Sequence, residues 1–203
     1  MQLQPDFDSM SGGSGRRHEP APGDAPRAFA PPEVDLDRDG LLPGVHAVPS
    51  GVGARVREIL GRSGALAALQ FLNARTRFRF TGIYRAEPPN LRNIFLTDRE
   101  NPTLNVSGRV CPLDDTYCGI TCAGELAFMT PDAQQDRRLI GHPARDSVLS
   151  YAGMPLRLPG VKTWGTLCHF DLRPRLLPAS ELAVLKEAAP LFVDWLRVHG
   201  TLA

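Results

Sequence analysis

At 203 residues, with 42% hydrophobic and 22% charged, the chain has material for one well-packed globular domain plus a tail, and needs neither disulfides nor metals to bury a core. A formal net charge of +1, with arginines scattered along the chain and only Lys162 and Lys186 as lysines, leaves no basic footprint for nucleic acid. The polar, acidic start MQLQPDFDSM lacks the basic and apolar regions of an export signal, and no apolar run approaches the ~18 residues that span a membrane. The reading is a cytoplasmic protein, with no membrane partner and with Cys111, Cys118, Cys122 and Cys168 as reduced thiols.

Residues 1–49 are rich in Gly, Pro, Ser, Asp and Arg and too poor in periodic apolar positions to offset the entropy of ordering, so they are predicted to form a disordered tail before a domain at 50–203. Within the tail, DLDRDG sets Asp35, Asp37, Asp39 and Gly40 in the order of a calcium loop, but His46 stands where a bidentate Glu is needed and Pro43 interrupts the loop. A solvated acidic stretch explains it better. Deleting residues 1–49 is expected to leave the melting temperature nearly unchanged in calorimetry; a large drop would show that the tail packs on the domain.

From Val52 the texture changes. Val56, Ile59, Leu60, Leu66, Leu69 and Phe71 recur at helical spacing, interrupted by Gly61 and Gly64, which predicts one broken helix ending near Arg75. In RFRFTGIYR, Phe78, Phe80 and Tyr84 alternate with polar residues as in a half-buried strand; Pro88 and Pro89 close it, and NIFLT at 93–97 returns as the second arm of an antiparallel hairpin. Residues 101–145 are divided by prolines and glycines, with helices predicted around 115–123 and 134–140 and with Asp114 and Asp115 read as capping the first of them. SYAGMPLRL and TWGTLCHFDL are strands joined by a tight connection in which Pro159 and Gly160 suit the central positions of a type II turn.

A last helix is predicted from Ser180, a good N-cap, to about His199, with Gly200 as its stop and a kink at Pro190. Its apolar residues, from Leu191, Val184 and Trp195 on one edge to Leu182 and Val193 on the other, spread over roughly 220°, more than the ~100° stripe of a helix lying on one surface. Such a helix must meet a second element, either the N-terminal helix or the same helix of another subunit.

Antiparallel strand pairs, short helices between them and long helices at both ends describe an α/β domain of the α+β kind. The residues point further. YAGMPLRLPGVKTWGTLCHFDLRPRLLPASELAVLKEAA, at 151–189, resembles the C-terminal half of a bacterial GAF domain, in which a Tyr-x-Gly-x-Pro-Leu strand leads through a turn to Gly-Thr-Leu-Cys, then Asp, Pro-Arg and a Glu- and Leu-rich helix. CPLDDTYCG at 111–119 and FMTPDAQQDRRLIGHP at 128–143 resemble two further pieces of that family, in order, so the resemblance covers about 66–196.

The resemblance implies a GAF-like, profilin-like six-stranded antiparallel sheet with the terminal helices on one face and a pocket on the other. The pocket wall would include Tyr117, Cys118, Asp132, His142, Arg145 and Tyr151. It also implies a sensory domain that binds a small molecule, without catalytic or metal-ligating residues, and that signals as a homodimer or through a partner such as a sensor kinase. The resemblance names neither ligand nor cofactor, and the Asn-Lys-x-Asp-Glu signature of cyclic-nucleotide-binding members is absent. For the dimer the expectation is a parallel pair through the terminal helices, with Trp195 near the seam.

The cysteines raise alternatives. Free methionine-R-sulfoxide reductases are GAF proteins with a cysteine just before the strand corresponding to SYAGMPL, where this chain has HPARDSVL and no cysteine. Cys168-His169 copies the dipeptide of bilin attachment but sits in the Gly-Thr-Leu-Cys strand, where a small buried hydrophobe is the simpler reading. Structural zinc sites favour close Cys-x-x-Cys pairs, and of Cys111, Cys118 and Cys122 only Cys118 and Cys122 have such close spacing. One helical turn apart, they would suit a redox sensor equally, and core cysteines on a buried helix are the simpler reading. A purely structural interaction module is the third reading.

Overall fold

The computed structural model describes residues 51–103 and 106–199; the tail, its calcium-like pattern and the Gly200 stop lie outside them. Helix α1 (Val52–Ala74) opens the fold. The hairpin β1 (Phe80–Glu87) and β2 (Asn90–Asp98) follows, then the short β3 (Val110–Pro112), α2 (Tyr117–Gly124), β4 (Phe128–Thr130), the long hairpin β5 (Ser150–Leu158) and β6 (Val161–Asp171), and α3 (Ala179–Val198). The strands form one six-stranded antiparallel sheet in the order β3-β2-β1-β6-β5-β4.

Both predicted hairpins form in the expected register direction. β5 and β6 close from the pair Leu158 and Val161 through Pro159 and Gly160, with Gly160 at φ 77° as a type II turn requires. β1 departs from simple alternation. Its first half is buried on both faces, and Phe78 lies before the strand, packed toward α1, while Phe80 points to the opposite side. A half-buried strand was the wrong expectation because both faces of the sheet are covered, so the residues between the aromatics are also buried.

Two apolar clusters result. One joins α1 and α3 to one face through Ile83, Ala152, Met154, Leu156 and Leu167. The other lies on the opposite face, where Phe80, Tyr151, Cys168 and Phe170 meet α2 and the irregular segment after β4.

The break in α1 falls at Gly64, whose φ of 81° and ψ of −178° leave the helical region that Gly61 keeps. Trp195 of α3 occupies the bend, its Cζ2 3.6 Å from where a Cβ on Gly64 would stand, and its ring meets Phe95 of β2 edge-on at 6.1 Å. The wide apolar arc of α3 is thus covered within one chain: Val184, Ala188, Phe192, Val193 and Leu196 are buried, and Leu182, Leu191 and Trp195 pack on the same cluster. The arc that pointed to a second subunit is accounted for by α1.

Three local expectations change. α3 begins at Ala179 with Pro178 before it, so Ser180 lies inside the first turn; the Pro178 carbonyl takes the Glu181 and Leu182 N–H groups, and no side chain caps the end. The Glu181 carboxylate instead clamps Arg75 at the end of α1, Nε to Oε2 2.9 Å. The helix runs through Pro190 as one element. The helix expected around 134–140 is absent; only 3-10 turns at Arg137–Leu139 and Pro143–Asp146 form. Asp132, Asp136 and His142 each take a nearby backbone N–H with the side chain, which competes with helix formation.

Candidate functional site

The site expected from the sequence lies on the sheet face away from the long helices. Leu113–Asp115 form a 3-10 turn, and Thr116 then caps α2, its Oγ1 accepting from Gly119 N at 3.3 Å. Asp114 and Asp115 stand in the preceding turn rather than at the cap. This start lays Tyr117, Cys118 and Thr121 against the sheet, all three buried.

From the sheet, Tyr151 comes to meet them. Its ring lies along its own strand, over Gly153, where a Cβ would stand 2.1 Å from the Tyr151 hydroxyl. That close approach gives the Tyr-x-Gly motif a physical reason: only glycine leaves the ring this path. The Tyr151 hydroxyl reaches Cys118 Sγ at 3.4 Å and Thr121 Oγ1 at 3.2 Å, and Thr166 Oγ1 of β6 donates to the same Cys118 Sγ at 3.0 Å. Burial pushes the Cys118 thiol up, but hydrogen bonds from Cys168, Thr166 and Tyr151 outweigh it and hold it below its ordinary value. Burial raises Cys168 well above the ordinary thiol range, Cys111 to about 11 and Cys122 to about 12.

Tyr117 sits in an aromatic nest. Its ring centroid is 4.8 Å from His142, 5.6 Å from Tyr151 and 6.0 Å from Phe128. The residue is only 2% exposed, yet its hydroxyl has no hydrogen-bond partner among the described residues. Burial and the charges of Asp136 and Asp146 push it up to about 12, with Arg145 opposing.

The other expected residues are engaged locally. His142 Nδ1 accepts from Ala144 N at 3.1 Å, so the proton is assigned to Nε2, and burial pulls its pKa down although Asp115 and a bond to the Thr116 backbone pull it up. Arg145 donates Nε to Ala133 O at 3.1 Å and Nη2 to Gln134 O. Asp132 accepts from Gln134 N at 3.0 Å and Gln135 Nε2 at 2.8 Å. Tyr117, Cys118, Tyr151 and His142 are therefore brought together, whereas Arg145 and Asp132 hold the overlying segment in shape.

A cavity of about 40 Å³ opens against the ends of β4 and β5, lined by Phe78, Met129, Thr130, Pro131, Tyr151, Arg175, Leu176 and Leu177. It holds a few waters at most. Sequence reasoning missed Thr121, Thr166 and Cys168 as partners of this site. The Gly-Thr-Leu-Cys motif carried two of them, and strand alternation sets both on one face, but nothing local says which helix covers that face. Among the described residues no cluster of three His, Cys, Asp or Glu is arranged to hold a metal, and no helix is long and apolar enough to cross a membrane.

No family model matches the chain, and no curated protein sequence is similar to it. Solved structures are. The GAF domain of an Acinetobacter phosphoenolpyruvate-protein phosphotransferase superposes with a TM-score of 0.59 at 13% identity, covering 75% of this chain and 94% of that one. The chromophore-binding domain of the bacteriophytochrome RpBphP3 from R. palustris gives 0.59 at 9% identity, covering 74% of this chain and 60% of that one. A type II free methionine-R-sulfoxide reductase from Thermoplasma acidophilum gives 0.52 at 16%, covering 72% and 96%. Sheet order, helix placement and these likenesses agree: the chain has the fold of a GAF domain.

Proposed function

We propose that this domain is a sensory or regulatory module that binds a small molecule beside Tyr117, on the α2 side of the sheet, and passes the signal on by protein contact. The observation that carries this reading is the unpartnered, buried Tyr117 hydroxyl. Burying such a group without a partner costs about 1–3 kcal/mol, a cost that a ligand acceptor would relieve. The ligand enters by displacing the segment of Asp132, His142 and Arg145, with Tyr151 and Cys118 as the floor. The bacteriophytochrome neighbour, a chromophore-binding domain, supports ligand binding on this fold.

The protein acts in the cytoplasm, where its cysteines, all free, are reduced in the absence of oxidant. Its output is a homodimer contact or docking on a partner such as a sensor kinase, using what apolar helix surface remains, Leu66 of α1 and Val198 of α3. The reductase reading is set aside because the segment 142–149 holds no cysteine; purified protein should not turn over free methionine-R-sulfoxide with a thiol reductant.

Tyr117→Phe is expected to leave the unliganded protein as stable as before or up to ~1 kcal/mol more so, and to weaken retention of the bound molecule about tenfold. Native mass spectrometry for retention and thermal unfolding for stability make the check. A variant that loses stability, from a parent that carries no small molecule, would remove the reading.

A further inference from the structure

Cys118 and Cys168 belong to one buried cluster, although they come from α2 and β6. Their arrangement is more than shared burial. Cys118 Sγ lies 3.0 Å from Thr166 Oγ1, and Cys168 follows Thr166 by two residues on the same face of β6, so α2 sets the Cys118 sulfur over this part of the strand. After burial, each thiol is the strongest influence on the other's ionisation. Thr166 and Tyr151 donate to the Cys118 sulfur, and it stands in the first turn of α2, where the helix end favours negative charge. A core that used cysteine only as a small hydrophobe would have no need of hydroxyl donors around one sulfur and a second thiol beside it. Cys122, one turn along α2, is the partner suggested by helical spacing, yet Cys168 is the thiol that acts on the Cys118 sulfur.

We propose that Cys118 and Cys168 form an oxidisable pair that hydroperoxides convert to an intramolecular disulfide, joining α2 to the centre of the sheet. The Cys118 thiolate attacks one peroxide oxygen: an S–O bond forms, the O–O bond breaks, and the leaving alkoxide or hydroxide takes up the proton that Cys118 released. The Cys168 sulfur then attacks the Cys118 sulfenic acid: the S–S bond forms, the S–O bond breaks, and hydroxide leaves with the Cys168 proton as water. Two thiols and one hydroperoxide give one disulfide, one alcohol (water when the oxidant is hydrogen peroxide) and one water, a two-electron balance. Cys118 is 5% exposed against 0% for Cys168, so Cys118 is assigned as the sulfur that meets the oxidant and Cys168 as the one that resolves it. The disulfide would tie down the helix that forms the floor of the proposed ligand site, but the chemistry stands on the thiol pair and does not depend on that reading.

The test treats the full chain with hydrogen peroxide, alkylates it with N-ethylmaleimide in denaturant, and maps the peptides by mass spectrometry without reduction. The expected result is a fall from four alkylated cysteines to two, a cross-linked peptide pair containing Cys118 and Cys168, and recovery of all four by dithiothreitol. Cys168→Ser, close to isosteric, is expected to leave Cys118 as a sulfenic acid that dimedone traps, and Cys111→Ser with Cys122→Ser to leave the disulfide unchanged. Four alkylated cysteines after excess peroxide, or a cross-link from Cys118 to Cys122 or Cys111, would overturn the proposal. Tyr117→Phe should form the disulfide at the parent rate whether or not it retains a small molecule, so failure of one reading is separable from failure of the other.

Discussion

Val184→Glu is expected to unfold the domain. Val184 is 2% exposed within the cluster formed by α1, α3 and the sheet, so the new carboxylate would be buried with no partner built for it. The lost apolar burial alone is worth about 1.5–3 kcal/mol, and an unpaired charge in that environment raises the total beyond ~4 kcal/mol, a large share of the ~5–15 kcal/mol that stabilises a typical domain. Leu191→Glu, on the half-buried edge of the same helix, is expected to cost only about 1 kcal/mol and remain folded. Circular dichroism and urea unfolding read both. Had α3 paired with another subunit along this edge, Val184→Glu would give a folded monomer. Sedimentation of a folded Val184→Glu chain at monomer mass, from a dimeric parent, would restore the inter-subunit seam and refute the packing on α1.

Stability is expected to fall by about 2 kcal/mol between pH 7 and pH 5, because His169 is buried neutral. Asn73 Nδ2 donates to Thr81 Oγ1 at 2.8 Å, so the Thr81 hydroxyl proton is free to go to His169 Nδ1 at 2.6 Å, leaving that nitrogen an acceptor. Burial, with a further push from the Arg99 charge, lowers the histidine to about 3. In the unfolded chain it titrates near ~6.5. Between those values the unfolded state binds the extra proton, so stability is full above pH ~6.5 and declines as the pH falls toward 3. His142, also lowered, adds in the same direction. The carboxylates held low by their arginine partners, Glu58, Glu87 and Asp136, act only below their ordinary values, under the pH 5 end of this window. Urea unfolding at a series of pH values checks it, with His169→Gln expected to flatten most of the slope. An equal slope in that variant would show that His169 is not the source.

The hairpins were legible because period-two alternation, paired prolines and a Pro-Gly turn are local signals that act within a few residues. The Tyr-x-Gly-x-Pro-Leu and Gly-Thr-Leu-Cys strands, the break in α1 and the excess apolar arc of α3 could be read in the same way. So could the presence of Tyr117, Cys118, Tyr151 and His142 on a single wall, through the resemblance of their segments to GAF domains. The segment 131–149 resisted, because Asp132, Asp136 and His142 can each satisfy a backbone N–H with the side chain, and sequence does not say whether helix or cap wins.

What the sequence by itself determined is therefore the set of elements and the faces they must bury: antiparallel pairs of strands, two terminal helices and one helix with more apolar surface than a sheet can cover. Only the tertiary structure decided what covers each face. It set α1 bent at Gly64 around Trp195, where a second subunit would have served the pattern equally well. It laid Thr166 and Cys168 of β6 under Cys118 of α2, where the helical spacing had pointed to Cys122. The reason is common to both. Periodicity records that a side chain is buried, which is a property of its own segment, but the identity of its neighbour depends on chain closure across many tens of residues and leaves no periodic trace in either segment.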